Sequence, residues 1–87
     1  MDVIRLTLIT RRDCHLCEEM EAIIEQVAPQ AGVVLEILDV DAEPDRRARY
    51  SDEVPVLLID GRKAFKYRVT PVELRQRLRA AARGRPT

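Results

Sequence analysis

Several features that often indicate a function are scarce or missing in this sequence. It carries no net charge, since 15 basic residues balance 15 acidic ones, so no bulk field attracts it to nucleic acid or to a membrane surface. No apolar run approaches the roughly 20 residues of a membrane-spanning helix, and the first residues lack the charged and apolar regions of a signal peptide. We therefore expect a cytoplasmic protein with neither nucleic-acid nor membrane partners.

The length of the chain limits its organisation. Its 87 residues are enough for one domain, which we expect to occupy residues 1–87. A domain of this size buries only a modest core and has little stability to spare. We expect it to act as a monomer.

Cysteine is scarce as well, because Cys14 and Cys17 are the only two, spaced C-x-x-C. A disulfide between them closes a very short loop and constrains the unfolded chain little, so it would be a poor structural crosslink. In a reducing compartment such a pair is more typical of chemistry than of structure. The two thiols are therefore the first candidates for a reactive site.

The apolar pattern predicts seven elements in the order β-α-β-α-β-β-α. Apolar residues recur at helical spacing from Leu16 to Val27, and we expect Pro29 and Gly32 to end that helix. The run at 33–40 is nearly continuous in apolar residues, which predicts a central strand. Strands are predicted at 3–9, 33–40, 54–59 and 63–68, and helices at 14–28, 41–50 and 70–84.

Two local signals support the second half of this order. Asp60-Gly61 is typical of a turn between antiparallel strands. Thr70, Pro71 and Glu73 form a capping box reinforced by proline, and the helix they begin is expected to end near Gly84. Parallel strands joined by a helix, followed by a hairpin and a covering helix, predict one α/β domain.

The position of the C-x-x-C pair predicts that Cys14 is reactive. The pair follows the first strand and opens the first helix, where unpaired N–H groups and the positive end of the helix dipole meet the sulfur. These features lower the pKa of a thiol below its free value of about 8.5, and the thiolate is the nucleophile. We expect Cys14 to attack and Cys17, facing inward, to resolve the mixed disulfide. His15 could tune the pKa of Cys14, or could simply be exposed.

A zinc site is the main alternative use of this spacing. Such a site takes about four ligands, whereas the chain offers two cysteines and one histidine. A metal or iron–sulfur site would therefore need a second copy of the chain, and for a single chain we predict no metal. The remaining alternative, that both thiols fill core space, suits Cys17 but not Cys14, because a helix start is not core.

With the first strand, Cys14-His15-Leu16-Cys17 at the helix start and Val54-Pro55 before the third strand all placed, the sequence resembles glutaredoxins. It is most similar to short bacterial glutaredoxin-like proteins with a C-H-L-C motif. The resemblance spans essentially the whole chain. It implies a thioredoxin-like fold with a four-stranded mixed sheet flanked by helices.

The resemblance also implies substrate-binding residues. In glutaredoxins the proline before the third strand is cis, which implies a cis Pro55 facing the active-site cysteine, with Val54 pairing its backbone with an extended thiol substrate. A trans proline at the start of an edge strand is the alternative. The family's basic residue three positions before the first cysteine, here Arg11, meets a carboxylate of glutathione; otherwise Arg11 is a solvated loop arginine.

Three parts of the glutaredoxin pattern are missing. Leu16 replaces the common aromatic residue, and Glu53 replaces a threonine, placing a negative charge that would disfavour an anionic ligand. The chain reads Tyr67-Arg68-Val69-Thr70 where glutaredoxins carry Gly-Gly-x-Asp, which binds the γ-glutamyl end of glutathione. We therefore predict that glutathione binds weakly.

The predicted function is thiol–disulfide oxidoreduction by a dithiol mechanism. The expected partners are a disulfide-containing protein or a small-molecule thiol, and a cellular reductant, either glutathione or a thioredoxin-type system. No bound cofactor is expected, and glutathione is a candidate co-substrate. Two alternatives stay open: a protein-binding module whose thiols are incidental or regulatory, and metal or iron–sulfur binding through a dimeric C-x-x-C site.

Overall fold

A computed structural model describes residues 3–28 and 32–83 of the chain. The elements follow the predicted order, with a 3-10 turn added after the second strand. The predicted helix ends at Pro29 and Gly84 lie outside the described residues. Among the described residues, no helix is long and apolar enough to cross a membrane. The elements are β1 (Ile4–Thr10), α1 (His15–Val27), β2 (Val33–Asp39), the 3-10 turn (Val40–Ala42), α2 (Pro44–Tyr50), β3 (Val56–Ile59), β4 (Arg62–Lys66) and α3 (Pro71–Arg83).

The four strands form one mixed sheet in the spatial order β2-β1-β3-β4. β2 runs parallel to β1, whereas β3 is antiparallel to β1 and β4 is antiparallel to β3. Asp60 and Gly61 turn the β3–β4 hairpin, both at positive φ, as the Asp-Gly signal predicts. The predicted four-stranded mixed sheet is confirmed.

The prediction that residues 33–40 form a central strand is wrong. β2 lies at one edge of the sheet, and its residues Val34 and Ile37 are 47% and 46% exposed. A continuous apolar run is typical of a strand covered on both faces, but it does not specify which neighbours the topology provides. Here β1 takes a central position, because it pairs with β2 on one side and with β3 on the other.

Most of the core lies between one face of the sheet and the helices α1 and α3. Ile4, Leu6 and Leu8 alternate along β1 and point to this face, as the two-residue period of a strand requires. Full burial of an aliphatic side chain of this size stabilises a fold by about 1.5–3 kcal/mol. The other buried members of this cluster are Met20, Ile24, Ala28, Leu57, Ile59, Val69, Leu74 and Leu78.

The apolar side of α1 is only partly covered. Cys17, Met20 and Ile24 are buried, whereas Leu16 and Ile23, which share the predicted apolar pattern, are half-buried. Apolar surface therefore remains accessible on this helix close to the C-x-x-C pair.

A smaller cluster covers the opposite face of the sheet near the end of β1. It consists of Ile9, Val40 and Val56, with Tyr50 of α2 packed against it. Because successive residues of a strand point to opposite faces, Ile9 lies on the other side of the sheet from the main core. This cluster fixes α2 beside the chain that leads into β3.

The predicted capping box begins α3. The Thr70 hydroxyl accepts the N–H of Glu73 at 3.1 Å, and the Glu73 carboxylate accepts the N–H of Thr70 at 3.0 Å. Two N–H groups that a helix start would leave without intrahelical partners are thereby satisfied.

Candidate functional site

Cys14 stands immediately before α1. It is the N-cap residue, with an extended backbone (φ −105°, ψ 107°), and its Sγ accepts the N–H of Cys17 at 3.1 Å. Asp13 has a φ of 56°, so the chain turns sharply between β1 and the helix start. A sulfur in this place faces free N–H groups and the positive end of the helix dipole, both of which stabilise negative charge on it.

The two cysteines are joined by a disulfide, with their Cα atoms 5.2 Å apart. Cys17 is buried, with 3% of its surface exposed, whereas Cys14 is half-buried. An incoming sulfur therefore has better access to Cys14 than to Cys17. The roles of attacking and resolving thiol stay predictions.

The His15 side chain points into solvent. It is 83% exposed, and its Nε2 lies 3.7 Å from a carboxylate oxygen of Glu19, one turn further along α1. Its predicted role in tuning Cys14 stays a prediction. Within residues 3–28 and 32–83, no group of three or more histidine, cysteine, aspartate or glutamate side chains is arranged to hold a metal ion.

The Val54–Pro55 peptide bond is cis, as the resemblance implied. Val56 pairs with Ile9, one residue from the end of β1, and Cys14 follows that strand after a short turn. The antiparallel pairing of β1 and β3 therefore brings the cis peptide and the cysteines to the same end of the sheet. Pro55 itself is buried there.

Arg11, the third candidate for substrate binding, is engaged within the protein. Its Nε and Nη2 donate to the Asp41 carboxylate at 2.9 and 3.1 Å. Nη2 also donates to the Ser51 hydroxyl at 2.6 Å, and Nη1 donates to the Ser51 carbonyl at 3.3 Å. Four of the five N–H groups of the guanidinium are thus used, and Arg11 ties the end of β1 to the 3-10 turn and the end of α2. A glutathione carboxylate would have to use the fifth.

The ion pair shifts the pKa values of both its members. The hydrogen bond from Arg11 is the largest cause that lowers the pKa of Asp41, and the charges of Arg11 and Arg47 act in the same direction. The same hydrogen bond raises the pKa of Arg11. Both partners are therefore charged at neutral pH.

Comparison with known proteins places this arrangement in a family. The Glutaredoxin-like domain family (DUF836) matches residues 5–79, a range that includes both cysteines and Val54-Pro55. The chain belongs to this family. Relatives include an uncharacterized protein of Mycobacterium tuberculosis, 28% identical over 94% of this chain and 90% of that protein. A glutaredoxin-like protein of Dictyostelium discoideum is 31% identical over 76% of this chain and 67% of that protein.

Solved structures agree with this assignment. A structural genomics target protein from X. campestris matches with a TM-score of 0.74 and 29% identity, covering 86% of this chain and 96% of that one. A variant thioredoxin from Halobacterium salinarum matches with a TM-score of 0.69 at 21% identity, over 98% of this chain and 80% of that one. The glutaredoxin-like chain thus has the thioredoxin-like fold that the sequence predicted.

The environment of Glu53 corrects one expectation. Its carboxylate is paired with Lys63 and lies 3.4 Å from the Nζ of Lys66. The hydrogen bond from Lys63 is the main cause that lowers the pKa of Glu53, and Lys66 adds to the effect. Glu53 is therefore ionised, but two lysines offset its charge, so it does not repel an anion as an isolated carboxylate would.

Residues 67–70 replace the segment with which glutaredoxins bind the γ-glutamyl end of glutathione. A backbone segment that receives a charged ligand needs N–H groups free to donate to it. Here three of the four N–H groups are donated within the protein. Their acceptors are the Pro55 carbonyl for Tyr67 (2.9 Å), the Lys66 carbonyl for Arg68 (2.8 Å) and the Glu73 carboxylate for Thr70 (3.0 Å).

An open groove lies between α1 and residues 67–70, and the sequence analysis missed it. Its volume is about 230 Å³. The signal that could have revealed it is Leu16, which stands where an aromatic residue is common, together with the half-buried Ile23 two turns along. We call it the α1 groove; its apolar lining is Leu16, Met20, Ile23, Tyr67 and Val69.

Proposed function

We propose that this glutaredoxin-like protein is a thiol–disulfide oxidoreductase that uses a dithiol mechanism. The observation that supports it best is the unequal pair at the start of α1. Cys14 is accessible and its sulfur accepts an N–H at 3.1 Å, whereas its disulfide partner Cys17 is buried. An accessible sulfur with stabilised negative charge suits attack, and a buried neighbour suits resolution.

The reaction proceeds in two exchanges. The Cys14 thiolate attacks one sulfur of a substrate disulfide, forming a bond to it and expelling the other sulfur as a thiolate, which takes up a proton. Cys17 then loses its proton and attacks the Cys14 sulfur, forming the Cys14–Cys17 disulfide and expelling the second substrate sulfur, which is also protonated. The substrate gains two electrons and two protons, which the dithiol loses.

The other candidate residues take supporting roles in this proposal. The backbone of Val54 before the cis Pro55 pairs with an extended substrate. Arg11 acts as a positioning residue, since its hydrogen bonds hold the chain between β1 and Cys14 against Asp41 and Ser51. His15 is exposed and close enough in sequence to supply or accept a proton near Cys14.

We further propose the cellular setting. The substrate is a protein disulfide or a small-molecule disulfide, and two thiols of glutathione or of a thioredoxin-type system restore the reduced dithiol. Glutathione would be a co-substrate, with no cofactor bound to the protein. We also propose that the protein is a monomer and acts in the cytoplasm.

Reduction of insulin disulfides by dithiothreitol, followed by light scattering, tests the proposal. The protein should accelerate the reaction over dithiothreitol alone, and Cys14→Ser should abolish the acceleration. Without dithiothreitol, the reduced Cys17→Ser variant mixed with insulin should accumulate a mixed disulfide at Cys14 that mass spectrometry detects, because no resolving thiol is present. Circular dichroism of each variant checks that the fold is intact.

The outcomes separate the competing functions. A folded wild-type protein that does not accelerate exchange would favour a binding module whose thiols are incidental. A mixed disulfide that accumulates on Cys17 in the Cys14→Ser variant, with none in the Cys17→Ser variant, would reverse the roles assigned to the two residues.

A further inference from the structure

The α1 groove begins at the redox pair. Leu16, which contributes to its wall, lies between Cys14 and Cys17 in the sequence. Tyr67, on the opposite wall, donates its backbone N–H to the Pro55 carbonyl at 2.9 Å. The lining of the groove therefore includes a residue next to both cysteines in the sequence and a residue hydrogen-bonded to the cis proline.

The lining of the α1 groove suits an apolar occupant. Met20 is buried and forms part of the floor, and Leu16 and Ile23 are half-buried along α1. Among its polar lining residues, Thr70 has both its hydroxyl and its N–H engaged in the capping box with Glu73. Because most of the lining is apolar, a charged group buried against it would lose hydration and gain few hydrogen bonds, which is costly.

The charges near the groove do not select an anion either. Glu19 and Arg68 both line it and carry opposite charges. With the backbone N–H groups of residues 67, 68 and 70 already donated within the protein, an anionic ligand would have to bind the Arg68 side chain instead of the backbone. Glutathione would therefore find few backbone donors for its γ-glutamyl end in this groove.

The size of the groove suits a single side chain. Its volume of about 230 Å³ is below the roughly 300–1,000 Å³ of sites that enclose a drug-sized ligand. A single leucine, methionine or phenylalanine side chain is the kind of group that such a space holds.

We propose that the α1 groove binds a large apolar side chain next to the reacting cysteine of a polypeptide substrate. The inference rests on the proposed oxidoreductase function and names its substrate class: protein disulfides flanked by an apolar residue. The Val54 backbone holds the extended chain, and the groove selects the neighbouring side chain.

Two matched peptides test this inference. Both contain one cysteine linked in a mixed disulfide to thionitrobenzoate, with leucine on both sides of the cysteine in one peptide and serine in the other. The reduced protein attacks the peptide sulfur and releases coloured thionitrobenzoate, and the second-order rate constant is measured. The rate with dithiothreitol on each peptide corrects for intrinsic reactivity.

The corrected rate constant should be about tenfold higher for the leucine peptide, because a groove open on one side covers part of the side chain that full burial would cover. Tyr67→Gly removes one wall and should reduce the ratio of the two corrected rate constants to about twofold or less. Glycine suits this position, because Tyr67 has a φ of 68°. Ile23→Thr removes apolar surface from the other wall and should act in the same direction.

Val72→Thr is the matched control. Val72 is 59% exposed on α3 and does not line the groove, so replacing a β-branched apolar side chain with threonine there should leave the preference unchanged. Equal corrected rates for the two peptides would overturn the inference and leave the oxidoreductase proposal standing. A preference that survives both Tyr67→Gly and Ile23→Thr would also overturn it. Reaction with neither peptide would overturn the proposed function, and the inference with it.

Discussion

We predict that the protein reduces a small mixed disulfide of glutathione much more slowly than a glutaredoxin does. The experiment changes the substrate from a peptide disulfide to that small mixed disulfide. In glutaredoxins the segment replaced here by residues 67–70 binds the γ-glutamyl end of that molecule. Because three of the four N–H groups in this segment are donated within the protein, glutathione loses two or three hydrogen bonds that a typical glutaredoxin would provide.

The size of the effect follows from these bonds. A hydrogen bond of this kind contributes about 1 kcal/mol on average, so two or three of them contribute about 2–3 kcal/mol. Since each 1.4 kcal/mol is about a factor of ten, kcat/KM should be roughly 30- to 150-fold lower than for a dithiol glutaredoxin. Arg11 offers little compensation, because four of its five N–H groups are already donated to Asp41 and Ser51. Lys63 and Lys66 are occupied with Glu53.

The assay is the glutathione-coupled reduction of a small mixed disulfide, run beside a dithiol glutaredoxin at the same concentrations. Arg68→Ala should lower the residual activity, because Arg68 is the cation that lines the groove, whereas Arg62→Ala at the far end of β4 should not. Turnover comparable to that of the glutaredoxin would refute the hydrogen-bond reasoning and make glutathione the natural partner.

Three further predictions concern the thiol, the ion pair and the helix cap. In the Cys17→Ser variant, the alkylation rate against pH should give a Cys14 pKa below the free-thiol value of about 8.5; a value at or above it would remove the basis for attack. The lowered pKa of Asp41 contributes stability above the unfolded-state pKa of about 3.9, and this is lost as pH falls through the folded-state pKa. In Asp41→Asn, the free energy of unfolding measured by urea titration should therefore fall less steeply as the pH is lowered. An unchanged dependence on pH would argue against a stabilising Arg11–Asp41 pair. Thr70→Ala should cost about 1 kcal/mol and lower the Tm by roughly 4–8 °C, whereas Thr70→Gly should cost only a few tenths of a kcal/mol, and equal losses would argue against a capping role.

Local patterns predicted the elements well because the forces that form them act over a few residues. The capping box joins Thr70 and Glu73 across one helical turn, and Asp60-Gly61 provides its own turn conformation. The C-x-x-C pair lies at a helix start because a polar connection separates a strand pattern from a helical one. In each case the sequence neighbours are also the structural neighbours.

The features that the sequence did not predict depend on contacts between residues far apart in the chain. The apolar run of β2 did not reveal that this strand lies at the edge of the sheet, because pairing partners are chosen by the topology of the whole chain. Arg11 meets Asp41 and Ser51, which are 30 and 40 residues away, so no local pattern connects them. Lys63 lies on β4, ten residues after Glu53, and their pairing converts an isolated carboxylate into a compensated one.

The two halves of the proposed site differ in the same way. The attacking half is contained in four consecutive residues at the start of a helix, where sulfur, N–H groups and dipole are brought together by local structure alone. The other half is the α1 groove, which lies between one side of α1 and residues 67–70, about 50 positions further along the chain. The ligands that it can bind depend on which of its N–H groups remain free. One hydrogen bond shows this. The Glu73 carboxylate accepts the N–H of Thr70 at the start of α3, so this N–H cannot donate to a charged substrate in the groove. The residues that stabilise the last helix thereby help to decide which disulfides the first helix can attack.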